Sequence, residues 1–197
     1  MTQATALAIL KTGANVFLTG EPGSGKTYVV QQYVKYLRQH GVTVAITAST
    51  GIAATHISGV TIHAWSGIAI RTTLTERDLD LLAGNERLAK KIRSAAVLVI
   101  DEISMLEAGT LDLVDRVCRR VRDRVEPFGG LQVILVGDFY QLPPIQKAHE
   151  AEVQFAFAAG AWSEALFDCC YLTEQHRQSD PALSAILGGI RSGSLSP

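Results

Sequence analysis

A chain of 197 residues, 47% hydrophobic and 19% charged, carries enough apolar side chain to bury one α/β core and excludes an intrinsically disordered protein. Its net charge of −1 at pH 7 excludes a broad basic footprint, so a nucleic-acid partner would be steered only weakly. No apolar stretch reaches the length of a bilayer span and the first ten residues lack the basic start of a signal peptide, which argues against a membrane and places the chain in the cytoplasm.

In chain order, residues 16–19 form the first short run rich in β-branched and apolar side chains, and a glycine-rich stretch follows at once. Val29, Val30, Tyr33, Val34 and Leu37 then recur at helical spacing up to Gly41, a C-terminal stop. Further apolar runs at 42–47, 97–101 and 131–137 read as strands covered on both faces. Between the last two, Leu111, Val114, Cys118, Val121 and Val125 repeat by threes and fours before Pro127. Strand, helix and strand in this order predict an α/β fold, a parallel sheet with helices on both faces and ligands at the carboxyl ends of the strands.

Three cysteines, Cys118, Cys169 and Cys170, are an odd number whose adjacent pair is poorly placed to bridge, so reduced thiols acting as small core residues are expected. The histidines His40, His56, His63, His149 and His176 stand at no zinc-ligand spacing with them, so no structural metal is expected.

Gly20, Glu21, Pro22, Gly23, Ser24, Gly25, Lys26 and Thr27 fit G-x-x-x-x-G-K-[ST] between a predicted strand and a predicted helix. The glycines let main-chain N–H groups converge on phosphates, and the helix N-terminus adds partial positive charge. Lys26 should reach the β- and γ-phosphates of ATP, and the Thr27 hydroxyl should hold Mg2+. The run at 97–101 ends in Asp101 and Glu102. Asp101 is expected to hold the metal, and Glu102 to orient or deprotonate the attacking water, which favours hydrolysis over phosphoryl transfer to a small acceptor.

Residues 47–54 read TASTGIAA, 61–68 TIHAWSGI and 137–144 GDFYQLPP. With the cradle, these segments resemble the motor domain of superfamily-one DNA helicases, most closely the Pif-one (petite integration frequency) family, over nearly the whole chain. Residues 103–130, with their Pro-Phe-Gly-Gly exit, look like that family's signature segment. Phe155, Phe157 and Trp162 resemble its F-x-F…W stretch, and LTEQHRQ at 172–178 is similar to its arginine motif.

The resemblance implies roles. Gln141 becomes the γ-phosphate sensor, an amide able to donate to phosphate and accept from water, and Arg177 a second γ-phosphate contact. Gln3, seventeen residues before Gly20, becomes the adenine-reading glutamine, at the start of a helix expected to bury Ala4, Leu7 and Ala8. Thr50, Gly51 and His63 become contacts to DNA, where small residues admit a strand phosphate without a basic field. On the residues alone, His63 could equally be a core histidine bonded to backbone. Trp65 and Trp162 read as core. The arginines 116, 119, 120, 122 and 124, interleaved with Asp112, Asp115 and Asp123, read as a salt-bridged solvent face.

By the same resemblance, residues 1–178 form a RecA-like ATP-binding domain, and 179–197 a helix and tail leading towards a second RecA-like domain that the sequence lacks. The implied activity is a monomeric ATP-dependent motor, moving 5′ to 3′ on single-stranded DNA and opening forked duplex DNA in repair, recombination and telomere maintenance. Alone, the chain is expected to hydrolyse ATP slowly and not to unwind. Two alternatives stand beside this. One is a RecD-like or relaxase-type superfamily-one helicase, against which the Pro-Phe-Gly-Gly and FYQLPP wording argues; the other is a P-loop kinase or nucleotide switch, which would need an acceptor pocket or lid.

Overall fold

The four apolar runs become the inner strands of one sheet, because each turns alternate side chains towards two covered faces. The computed structural model describes residues 1–144 and 154–174. In chain order these form α1 (Gln3–Leu10), β1 (Val16–Gly20), α2 (Lys26–Gln39), β2 (Val44–Ala48), α3 (Gly51–His56), β3 (Val60–Thr61) and α4 (Ile62–Ser66). They continue with α5 (Glu76–Gly84), α6 (Glu86–Ser94), β4 (Val97–Asp101), α7 (Ala108–Arg122), β5 (Gln132–Val136), α8 (Gly160–Ala165) and β6 (Asp168–Leu172). All strand pairings are parallel, in the order β3-β2-β4-β5-β1-β6. No described helix is long and apolar enough to cross a membrane.

Val97, Val99, Ile134 and Val136 pack with Ala6, Leu10 and the apolar stripe of α2, while Leu98, Ile100, Val133 and Leu135 pack with Ile62, Trp65, Ile92 and the buried stripe of α7. A strand pointing both ways into apolar layers must read as an unbroken apolar run. The predicted bounds shift slightly. Val42 donates its N–H to Leu37 O at 2.9 Å, so it belongs to the C-terminal turn of α2 and β2 starts at Val44.

Three expectations about burial need correction. α1 buries Ala6 and Leu10, whereas Ala4 and Ala8 face outward, because the i, i+4 stripe that meets α2 lies on the other side. Val125 is 85% exposed: Asp123 takes a left-handed conformation (φ 54°) that ends α7 before it. Cys169 is exposed and only Cys170 and Cys118 are buried, since β6 is an edge strand whose side chains alternate between solvent and core. The arginine face is salt-bridged, but largely to other elements. Arg116 and Arg120 pair with Glu76, Arg120 also with Asp80, and Arg119 with Asp115 and Glu164. Asp112 instead accepts the Ala161 N–H at 2.8 Å at the start of α8.

The Pro127–Gly130 segment is a plug on α7. Phe128 is fully buried in a left-handed conformation (φ 51°), and its N–H donates to the Asp115 carboxylate at 2.6 Å. Arg122 Nε donates to Gly129 O at 2.6 Å. At Gly129 (φ 62°) a Cβ would lie 2.7 Å from Cys118 O, so only glycine lets the plug seat this closely. Its exit sets the start of β5, and hence what lies at the other end of that strand.

Candidate functional site

The sheet order places β4, β5 and β1 side by side, so the segments leaving their carboxyl ends meet. Beyond β1, Gly20, Gly23 and Gly25 take positive φ (147°, 86° and 88°) and wrap the loop around its own interior. A Cβ on Gly20 would lie 2.7 Å from Leu172 O and 2.8 Å from Ser24 Oγ, which fixes glycine there. α2 begins after Gly25 with no side-chain cap, so its N-terminus can serve an anion from outside the helix. The loop holds Ser24 buried with its hydroxyl lacking a hydrogen-bond partner, while Pro22 is exposed and Glu21 half-buried. Lys26 Nζ donates to Gly20 O at 2.7 Å and to Glu21 O at 3.2 Å. Gln3 lies against the same loop, its Nε2 donating to Ser24 O at 3.1 Å.

Beyond β4, Asp101 and Thr27 both border a cleft of about 550 Å3 that runs along α2 towards His56 and Ser58; a carboxylate and a hydroxyl are the donor types suited to a divalent cation. These residues, with an uncapped helix terminus and a buried orphan hydroxyl, fit a magnesium-bound triphosphate. Glu102 follows in a left-handed conformation (φ 53°, ψ 46°), uncommon for a residue with a Cβ and characteristic of functional positions. Its N–H donates to Asp101 Oδ1 at 2.9 Å.

Burial pushes the Asp101 carboxyl up to about 6; the Glu102 N–H pulls against it, the Glu102 charge adds to it, and the Lys26 ammonium pulls against it. The native chain therefore binds more protons than the unfolded chain between about 4 and 6. Stability from this group is fully present below pH 3.8 and is lost as pH rises through about 6. In magnesium-free buffer, Asp101→Asn should thus be more stable than the parent chain at pH 7.5, by on the order of 2–3 kcal/mol for a raised pKa of about 6, whereas at pH 4 the two should be nearly equal. Thermal melts of both chains at the two pH values check this, and a difference independent of pH would refute it.

Beyond β5, Asp138 is buried and its Oδ2 accepts from Gln141 Nε2 at 3.1 Å, while Asp138 O accepts the Gln141 N–H at 2.9 Å. Phe139 anchors the same loop in an aromatic cluster, 4.9 Å from Phe157, 5.7 Å from Phe155 and 6.0 Å from Trp162 between ring centroids. The F-x-F…W stretch thus holds the loop that carries Gln141. Trp162 also meets Phe17 of β1 at 5.2 Å, and Trp65 is buried in the core. Sequence reasoning named Gln141 but missed Asp138 and Phe139, both within the same GDFYQLPP segment. Arg177 lies outside the described residues, as does the expected helix near 181–191. β6 pairs with β1 in register from Val16↔Asp168 to Gly20↔Leu172, and Glu174 Oε2 accepts the Gln3 N–H at 3.3 Å.

The expected DNA contacts lie on the other flank of β4. β2 and β3 are in register at Ala48↔Thr61, so Thr50 and His63 each sit two residues beyond a paired position. Thr50 caps α3, its Oγ accepting the Ala53 N–H at 3.2 Å; a Cβ on Gly51 would meet nothing within 4 Å. His63 is half-buried and lines a cleft of about 700 Å3 with Arg71, Glu107 and Thr110. Burial lowers its pKa below the usual imidazole value and Glu107 opposes this, which favours the neutral ring, a hydrogen-bonding and stacking group.

A family model described as PIF1-like helicase matches residues 1–186. The chain is 57% identical over 179 residues to the ATP-dependent DNA helicase Pif1 of Psychrobacter sp. (strain PRwf-1), an alignment covering 90% of this chain and 27% of that protein. The fold matches the crystal structure of Pif1 helicase from Candida albicans with a TM-score of 0.90 at 35% identity, over 98% of this chain and 44% of that one. It also matches Pif1 helicase from Bacteroides in complex with ADP-AlF3 and ssDNA with a TM-score of 0.79 at 32% identity, over 98% and 46% of the two chains. The chain spans about a quarter of the length of the curated relatives it matches.

Proposed function

We propose, from the premise that this chain belongs to the PIF1-like helicase family, that it is the ATP-hydrolysing motor domain of a DNA helicase. The observation that supports the reading is that β4, β5 and β1 are adjacent and parallel, so the segments carrying Asp101 and Glu102, Gln141, and Lys26 and Thr27 leave the same edge of the sheet. Lys26 and the main-chain amides take the β- and γ-phosphates of ATP, Thr27 and Asp101 hold Mg2+, Glu102 orients the attacking water, and Gln141 senses the γ-phosphate. Gln3, already seated on the loop through Ser24, reads adenine. Arg177, three residues after Glu174 in the chain, supplies a second γ-phosphate contact.

Single-stranded DNA runs past Thr50, Gly51 and His63, which the pairing of β2 with β3 sets on one edge beside the acidic strand. Pif1 helicase from Bacteroides has been solved in complex with ADP-AlF3 and ssDNA, and a further solved relative shows DNA unwinding at forked dsDNA by two coordinating Pif1 helicases. Residues 1–178 act as one RecA-like unit that closes on a second RecA-like domain around ATP, in a monomer working 5′ to 3′ in the cytosol.

The test is ATP turnover by the protein at its full natural length, with and without oligothymidylate, beside strand separation of a forked duplex. Turnover that rises with DNA, together with unwinding, is the expected result. Phosphate transferred to a small acceptor with no response to DNA would establish the kinase alternative instead.

A further inference from the structure

Between the expected DNA loop and the acidic strand stands one buried hydroxyl. Ser49 follows β2 and precedes Thr50 and Gly51; it is 8% exposed, and both of its donors reach the segment that leaves β4. Its N–H donates to Asp101 O at 3.0 Å and its Oγ–H to Glu102 O at 2.8 Å. Strand pairing accounts for the first bond, since β2 and β4 are in register up to Ala48↔Asp101. The second lies beyond the ladder and depends on the side chain alone.

The bond falls on one of the few non-glycine residues whose backbone is left-handed. Glu102 holds a left-handed conformation without the glycine that would make it free, and the direction of its carbonyl sets that peptide and, with it, the course of the side chain. We propose that Ser49 is the positioning residue for Glu102, tying the setting of the catalytic carboxylate to the loop that engages single-stranded DNA. A strand phosphate settling on Thr50 and Gly51 shifts the adjoining peptide, and the Ser49 hydroxyl carries that shift to the Glu102 carbonyl. No part of this path passes through the sheet core, so DNA can alter the carboxylate while the fold stays still. The inference rests on the motor reading above, in which Glu102 orients water and the 50–51 loop meets DNA.

The experiment uses the protein at its full natural length, with oligothymidylate as the probe. In Ser49→Ala, the ratio of DNA-stimulated to basal ATP turnover should fall roughly 3- to 10-fold, the scale of one ordinary hydrogen bond. The loss should appear in kcat with KM for ATP unchanged, while oligothymidylate affinity, read by fluorescence anisotropy, stays within about twofold of the parent for the same reason. Ser49→Thr, which keeps the hydroxyl, should restore stimulation. Undiminished stimulation in Ser49→Ala overturns the inference. So does a loss matched by an equal loss of oligothymidylate affinity, which would make Ser49 a DNA contact, or a Ser49→Thr protein that melts normally yet responds no better than Ser49→Ala. A parent protein that does not respond to oligothymidylate fails differently, because it overturns the motor reading itself.

Discussion

Lys26→Ala should lower ATP turnover by roughly 100- to 1000-fold, the scale on which removing one preorganised electrostatic group from a transition state is felt, while lowering the melting temperature by only about 2–8 °C. In the cradle Lys26 is the only lysine or arginine between Gly20 and Thr27, placed close enough to pull on the Asp101 carboxyl. With ATP bound, its ammonium would stabilise the charge that passes from the γ- to the β-phosphate as the bond between them breaks. The fold loses little, because the loop's shape comes from the dihedrals of Gly20, Gly23 and Gly25 and from the Ser24 N–H bond to Glu21 O at 3.1 Å. The two bonds from Lys26 to loop carbonyls are part-buried and together account for about 1–2 kcal/mol. Phosphate release and a thermal melt on the same preparation check both halves. Turnover within tenfold of the parent would remove Lys26 from the reaction.

Glu102→Gln separates binding from chemistry. The amide keeps the side chain's size and its backbone demands but cannot take a proton from water, so turnover should drop about 100- to 10,000-fold. Mg·ATP affinity should change little, since the cation is assigned to Thr27 and Asp101 and the phosphates to the loop. Equilibrium binding of a fluorescent ATP analogue beside single-turnover hydrolysis distinguishes the outcomes. Loss of binding in step with loss of turnover would make Glu102 a ligand of the nucleotide complex, not the group that handles water.

The inner strands were legible because burial on two faces leaves an unbroken apolar run, as at 97–101, where Val97, Leu98, Val99 and Ile100 point alternately into the two cores. The edges were not legible for the converse reason: β3 is two residues long, and β6 alternates exposed Asp168, Cys169 and Tyr171 with buried Cys170 and Leu172. α5 and α6 carried a local signal that periodicity alone passed over, the capping box of Thr75 with Asp78 and the Asn85 cap. Within the site, the cradle and the acidic pair announce themselves because their residue types and spacing are set by the phosphates they serve. What supports them does not. Ser49 meets Glu102 across 53 positions, and Asp115 meets Phe128 across 13. Nothing in a serine or an aspartate within a local window tells which distant backbone group it will satisfy.

The loop carrying Gln141 is firmly tethered upstream. Asp138 is buried and Phe139 is locked among four other rings, while Tyr140 and Leu142, on either side of Gln141, are 76% and 68% exposed. The amide can therefore swing without disturbing its root, yet that root cannot loosen unless the whole ring assembly comes apart. Local fraying will not silence the γ-phosphate contact by degrees; in amide exchange, the protection of Phe139 and of Phe17 on β1 should disappear together as a single opening event.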